Sequence, residues 1–267
     1  MKSKDEFYIG WQDQETKGYR RVFLLFFGLA ILVILGFAIL FTSAERGFIN
    51  SYFDYGNLTE MEGQLVLEPF PGLRTAQGGQ VVTVPLVGFG KFGAESAIAG
   101  LHEKLKGELG AFKVKIRGTV FEYRGKKWME LTEGPNSLIS FTKHSETPRR
   151  IAALGTKTFA GEIIDPKCFF GVMNPATKAV HRSCAIRCIS GGVPAILGIR
   201  ENGEFVDYYF LVDQNQQKVG KEILPYVGIP MAIKGEVSHF DDWKTLTWTA
   251  ANSTALALNP SALAWCE

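Results

Sequence analysis

The chain has 267 residues, enough for a membrane anchor and one or two small domains that each bury a core. Its 29 basic and 27 acidic side chains nearly cancel. That balance excludes a general pull toward nucleic acid or acidic surfaces.

Residues 1–21 form a tail of mixed charge, expected in the cytoplasm. It groups Phe7, Tyr8, Ile9 and Trp11 in DEFYIGWQDQE, aromatic company suited to the membrane interface or to docking on a partner subunit. Residues 22–41, VFLLFFGLAILVILGFAILF, carry no charge. As a helix they measure about 30 Å, the thickness of the hydrocarbon core. The rival reading is a cleavable signal peptide, whose apolar part runs about 7–15 residues after a short basic start. This run is longer, although Thr42-Ser43-Ala44 resembles a cleavage site. Gly28, Gly36, Ala30 and Ala38 offer small surfaces for close helix packing.

Flanking charge sets the expected orientation. Lys2, Lys4, Lys17, Arg20 and Arg21 precede the apolar run, and only Arg46 occurs in the twenty residues after it. The basic side stays in the cytoplasm. The chain is therefore expected to be a single-pass inner-membrane protein, its lipid partner the bilayer, with residues 42–267 in the periplasm of a bacterial cell. Disulfides are permitted there.

After a juxtamembrane linker at 42–57, the chain reads as mainly β. Short β-branched and aromatic runs end at Gly, Pro or Asn, as in GQVVTVPLVGFG, AFKVKIRGTVFEY and EFVDYYFLVD. Residues 94–109 have helical spacing, with Ile98, Leu101, Leu105 and Leu109 on one face. Two copies of one pattern emerge. EGQLVLEP (62–69) parallels AGEIIDP (160–166), and VKIRGTV (114–120) parallels MAIKGEV (231–237). Gly63 and Gly118 lie 55 residues apart; Gly161 and Gly235 lie 74 apart. Most of the extra length falls in the stretch rich in Cys and His.

The second copy predicts strands at 158–165, 194–200, 204–213, 230–239 and 244–250, with a short helix at 217–226 before the fourth. Five strands with a helix between the third and fourth match the Greek-key barrel of the OB-fold. The expected architecture is one N-terminal transmembrane helix followed by two OB-like five-stranded Greek-key barrel units. The first, at 58–141, is degenerate. A linker spans 142–157, the second barrel spans 158–252, and a tail spans 253–267. Neither barrel predicts a basic face: residues 58–133 hold ten basic and nine acidic side chains, and 157–252 hold ten of each. Nucleic acid is not an expected partner.

The second copy resembles small exported bacterial OB-fold domains built as G-x-I-x-D-x-x-C, then C-x3-C, then a V-x-G-x-V strand pair. Gly161, Asp165, Cys168, Cys184, Cys188 and IKGEV carry that likeness, and FYIGW ahead of the helix resembles membrane-anchored bacterial proteins. The likeness covers about 100 residues. It implies a fold and an exported location, and it carries no catalytic residue.

Three chemistries fit DPKCFFGVMNPATKAVHRSCAIRC, residues 165–188. Cys168, His181, Cys184 and Cys188 could hold a single zinc, copper or iron ion. On a helix His181, Cys184 and Cys188 share one face, and Cys168 completes the set from the preceding loop. Alternatively Cys168 pairs with Cys184 or Cys188 in a disulfide, with Cys266 available to the third thiol. Closing such a loop stabilises by about 3 kcal/mol. The third option is a redox-active Cys184–Cys188 pair beside Arg182 and Arg187. Asp165 is expected to cap a turn or to orient His181. Asp241 and Asp242 read as turn residues. GFGKFGAES reads as a turn before a helix that needs no ligand. His102, His144 and His239 read as ordinary surface or core residues.

No complete catalytic constellation occurs, so no catalytic residue is expected. The leading expectation is a non-catalytic accessory, scaffold or assembly subunit of a membrane complex, of the respiratory or redox kind. A periplasmic metal-binding or electron-transfer protein is the second reading, and a thiol–disulfide enzyme the third.

Overall fold

The computed structural model describes residues 19–44, 51–106, 111–144, 151–171, 173–201 and 204–256. Residues 1–48 and 49–267 form two separate units.

The first unit contains helix α1, Tyr19–Ala44. Its 26 residues measure about 39 Å. Its apolar side chains from Val22 to Phe41 are largely exposed rather than packed. The helix is long and apolar enough to cross a membrane, and it extends the expected span by three residues at each end.

The second unit holds two closed five-stranded barrels built alike. In the first, β2 (Thr59–Val66), β3 (Gly72–Gln77), β4 (Gln80–Gly88), β5 (Phe112–Tyr123) and β6 (Lys126–Leu131) pair in the ring β2-β3-β4-β6-β5. The β4–β6 step is parallel and the others are antiparallel. In the second, β8 (Ile151–Ile164), β9 (Ile196–Glu201), β10 (Glu204–Val212), β11 (Pro230–Phe240) and β12 (Trp243–Thr247) close the ring β8-β9-β10-β12-β11. Here β10–β12 is the parallel step. The first barrel, expected to be degenerate, therefore closes through the same five pairings as the second. Short strands β1 (Ser51–Phe53), β7 (Leu138–Lys143) and β13 (Ser253–Ala255) extend the sheets beside β5 and β11.

A helical segment plugs each barrel between its third and fourth strands. Helix α2 (Glu95–Leu105) buries Ile98, Leu101 and Leu105 on one face, as its spacing predicts. Leu109 lies outside the described residues. In the second barrel a 3-10 segment, Lys221–Tyr226, buries Ile223 in the equivalent place. The repeat has a steric basis. A Cβ on Gly63 would strike the Arg74 carbonyl, and one on Gly161 would strike that of Gly198. Gly118 and Gly235 face the carbonyls of Glu130 and Thr247 in the same way. At these four positions the strands cross too closely for a side chain. Gly161→Ala is expected to destabilise by about 1–3 kcal/mol through overpacking. Thermal unfolding of the detergent-solubilised chain measures it; an unchanged midpoint refutes the steric account.

Two boundaries differ from expectation. Strand β8 starts at Ile151, so the connection expected at 142–157 is mostly strand. Residues 151–158 are exposed on both faces and pair with the far half of β11. No buried face imposes alternation there, so the strand is invisible to periodicity. The tail expected from 253 begins with β13, paired to β11, and the linker expected at 42–57 contains β1, paired to β5.

The barrels are joined by a third core of aromatic side chains. Phe70, Phe121, Tyr123 and Trp128 come from the first barrel; Phe210, Phe240 and Trp243 come from the second. Phe70 stacks on Phe210 with ring centroids 3.7 Å apart. The insertion after β8 contributes Phe169 and Phe170, and Trp128 lies 5.5 Å from Phe170. The extra 19 residues of the second copy thus form part of the joint between the barrels.

Candidate metal centre

The insertion folds as two helices. Helix α3, Pro166–Phe170, starts with Asp165, whose Oδ1 accepts from the Lys167 backbone N–H at 2.9 Å. Pro166 suits the first turn, where no N–H is needed. Helix α4 spans Lys178–Ser190. His181, Cys184 and Cys188 follow one another along its inner face, and Cys188 is 1% exposed. Cys168 lies on α3 rather than in a loop, next to the two phenylalanines that anchor α3 in the shared core.

The two helices bring the three sulfurs together, all within 4.8 Å of one another. Cys168 Sγ and Cys184 Sγ are 3.8 Å apart. Two thiolates each about 2.3 Å from one tetrahedral ion lie about 3.8 Å from each other. Two thiols in simple contact reach a similar distance, so convergence of the third sulfur is the informative feature. Cys168, Cys184 and Cys188 are free thiols, so the expected disulfide clip is not formed among them; a bond requires about 2.05 Å. Cys266 lies outside the described residues.

His181 departs from the expected four-residue set. It groups with Cys168 and Asp165, their ligand atoms within 4.8 Å, rather than with Cys184 and Cys188. The cluster is thus two sets that share Cys168. Asp165 caps α3 as expected, and it stands beside His181 with no hydrogen bond to its Nε2.

The first barrel adds a residue that sequence reasoning missed. Lys91 lies in the turn between β4 and α2, and its Nζ is 2.7 Å from Cys184 Sγ and 4.0 Å from Cys188 Sγ. The turn is clamped from both sides. Lys167 Nζ donates to the Gly88 and Gly90 carbonyls, each at 2.5 Å, and pairs with Glu130 at 2.5 Å in a buried position. Gly93 N–H donates to the Gly191 carbonyl at the end of α4, at 3.0 Å. A Cβ on Gly191 would hit the Lys91 carbonyl. Each glycine of GFGKFG has its own backbone reason: a Cβ on Gly93 would strike the Gly192 carbonyl past the end of α4, one on Gly88 would strike the Gly93 carbonyl within the turn, and Gly90 has φ +68.

Neighbouring charges and burial set the state of the ligand groups in the free protein. Hydrogen bonding to Cys188, then burial and the Asp165 charge, push the Cys168 thiol far up, so it keeps its proton in the free protein. Contact with Cys184 raises the Lys91 ammonium, with burial opposing. Burial lowers His181, against the opposing pull of Asp165, and keeps the imidazole neutral and able to ligate. A metal ion that displaces the Cys168 proton turns the cluster into a ligand set. The thiol trio and the Asp165-Cys168-His181 set can each hold an ion.

Among the other histidines, His239 Nδ1 lies 3.0 Å from the Asp241 carbonyl. His102 lines an open groove of about 730 Å³ beside α2, and His144 lines another beside β2 and β3. None of the three joins the cluster. No protein-family model matches the chain, and neither the curated proteins nor the solved structures yield a match.

Proposed function

We propose that this chain is a membrane-anchored protein that binds a soft or borderline metal ion, zinc(II) or copper(I), through Cys168, Cys184 and Cys188. One observation carries the reading: three sulfurs from two helices converge within 4.8 Å at the joint between two barrels. Thiolates select such ions over hard cations. Basic residues crowded ahead of α1 support placing the barrels outside the cytoplasm, in a bacterial periplasm. Membership of a respiratory or redox membrane complex is compatible with this role.

The test uses the full-length chain, purified in mild detergent under reducing, oxygen-free conditions. It is loaded with zinc(II) or copper(I), desalted and assayed for metal. The wild type is expected to retain ion, and Cys184→Ser to lose the ion held by the trio. Retention of neither ion by the wild type overturns the reading. Cys184 is the right target because it is partly exposed, so its replacement disturbs the core less than that of Cys188.

A further inference from the structure

The thiol trio leaves two ligand atoms unused. Asp165 is 0% exposed and His181 is 5% exposed. Asp165 Oδ2 and His181 Nε2 are both buried without a hydrogen-bond partner. Burial without a partner is unfavourable for either group, and native proteins seldom leave such atoms unpaired. Pairing with each other is no remedy. A carboxylate accepts only, and the His181 ring donates to the Pro175 carbonyl through its other nitrogen, which leaves Nε2 an acceptor. The Cys168 sulfur stands within 4.8 Å of both atoms' groups and completes a three-ligand set with them.

One ion cannot serve the whole cluster, since the two sets meet only at Cys168. We infer that the cluster takes two metal ions: a zinc-class ion held by Asp165, Cys168 and His181, beside the ion of the thiol trio, with the Cys168 thiolate bridging them. This rests on the reading of the trio as a metal site. Carboxylate, thiolate and imidazole are all ordinary zinc ligands, and three protein ligands leave a fourth position open to solvent or substrate. The Asp165 oxygen that caps α3 fixes the carboxylate while its second oxygen stays available. Charge also fits. Two divalent ions are balanced by three thiolates and one carboxylate, so the filled cluster is neutral before Lys91 is counted.

Cobalt(II) is the probe, since its thiolate charge-transfer bands and paramagnetism report ligation directly. The apo full-length protein in detergent is titrated without oxygen. Wild type is expected to take two equivalents, with its paramagnetic signal attenuated at the second by coupling through the shared sulfur. His181→Ala and Asp165→Asn are each expected to take one; the Asn variant keeps an acceptor for the α3 cap. Cys184→Ser is expected to keep the Asp165-Cys168-His181 ion. The inference is overturned if wild type takes a single equivalent that His181→Ala and Asp165→Asn leave intact, or two equivalents without coupling. Uptake of no cobalt, zinc or copper overturns the trio reading as well.

Discussion

Asp241→Asn is expected to lower the unfolding free energy by about 3–5 kcal/mol, the cost of leaving a buried charge without its partner. Asp241 reads from sequence as a turn residue, and it does sit in the β11–β12 turn. Its carboxylate also reaches the first barrel. Arg74 Nε donates to Oδ2 at 2.8 Å and Nη2 to Oδ1 at 3.0 Å, and Thr83 Oγ1 donates at 2.7 Å. The Arg74 and Asp241 side chains are 4% and 3% exposed. Asp242 continues the joint, accepting from the Thr83 N–H at 2.8 Å and pairing with Lys126 at 2.9 Å. Trp243 Nε1 donates to the Thr83 carbonyl at 2.7 Å. Asn is the informative substitution because Asp241 has φ +49, a conformation Asn tolerates. Urea unfolding followed by tryptophan fluorescence measures the effect, with Trp128 and Trp243 reporting from the shared core. Glu62→Gln is the control. Its pair with Lys113, at 2.9 Å, is about half exposed and is worth below about 1 kcal/mol. Adding Arg74→Met to Asp241→Asn is expected to recover much of the loss, since the guanidinium that lost its carboxylate is then gone. A single-variant cost under about 1 kcal/mol refutes the buried lock.

Sequence periodicity could reveal each barrel and could not reveal their joint. In the second barrel the position of β11 follows from alternation and turn residues because that strand has one buried face. Helix α2 follows for the same reason. The repeat anchors Gly63, Gly118, Gly161 and Gly235 are legible because crowding leaves only glycine. Long-range pairing leaves no such mark. Arg74 and Asp241 are 167 positions apart, and nothing local to either distinguishes a buried pair from two surface charges. Phe169 and Phe170 carry no local sign that they pack into the core shared by the two barrels.

The thiol cluster divides in the same way. His181, Cys184 and Cys188 share a helical face by spacing alone, which the sequence states outright. Assigning His181 to Asp165 and Cys168 instead of to the thiols below it depends on where α3 docks, and the aromatic core sets that. Lys91 arrives from 93 positions away. Its only local signal is glycine density on either side, a sign of close backbone approach with no indication of what is approached.

Metal loading is expected to stabilise the whole two-barrel unit, by about 4 kcal/mol when free ion exceeds its dissociation constant a thousandfold. The coupling is structural. Cys168 is followed directly by the two phenylalanines that α3 buries between the barrels, and Cys188 belongs to the same core. Lys91 and Lys167 tie the cluster to β4, α2 and β6 of the first barrel. An ion that fixes α3 against α4 therefore fixes the joint, and both barrels gain together. The check is the urea midpoint of the detergent-solubilised chain, with zinc(II) and then with excess chelator. Chelation is expected to return the midpoint to the apo value, and Cys184→Ser to lose the gain conferred by the trio. The pH dependence has a definite sign. The Cys168 thiol is pushed up and stays protonated in the free protein, so binding there releases a proton. Affinity should fall about tenfold per pH unit for that proton as the solution is acidified, and the stabilisation shrinks with it. Retained zinc with no change in midpoint would mean that the ion sits outside the joint and that the cluster is not what holds the barrels together.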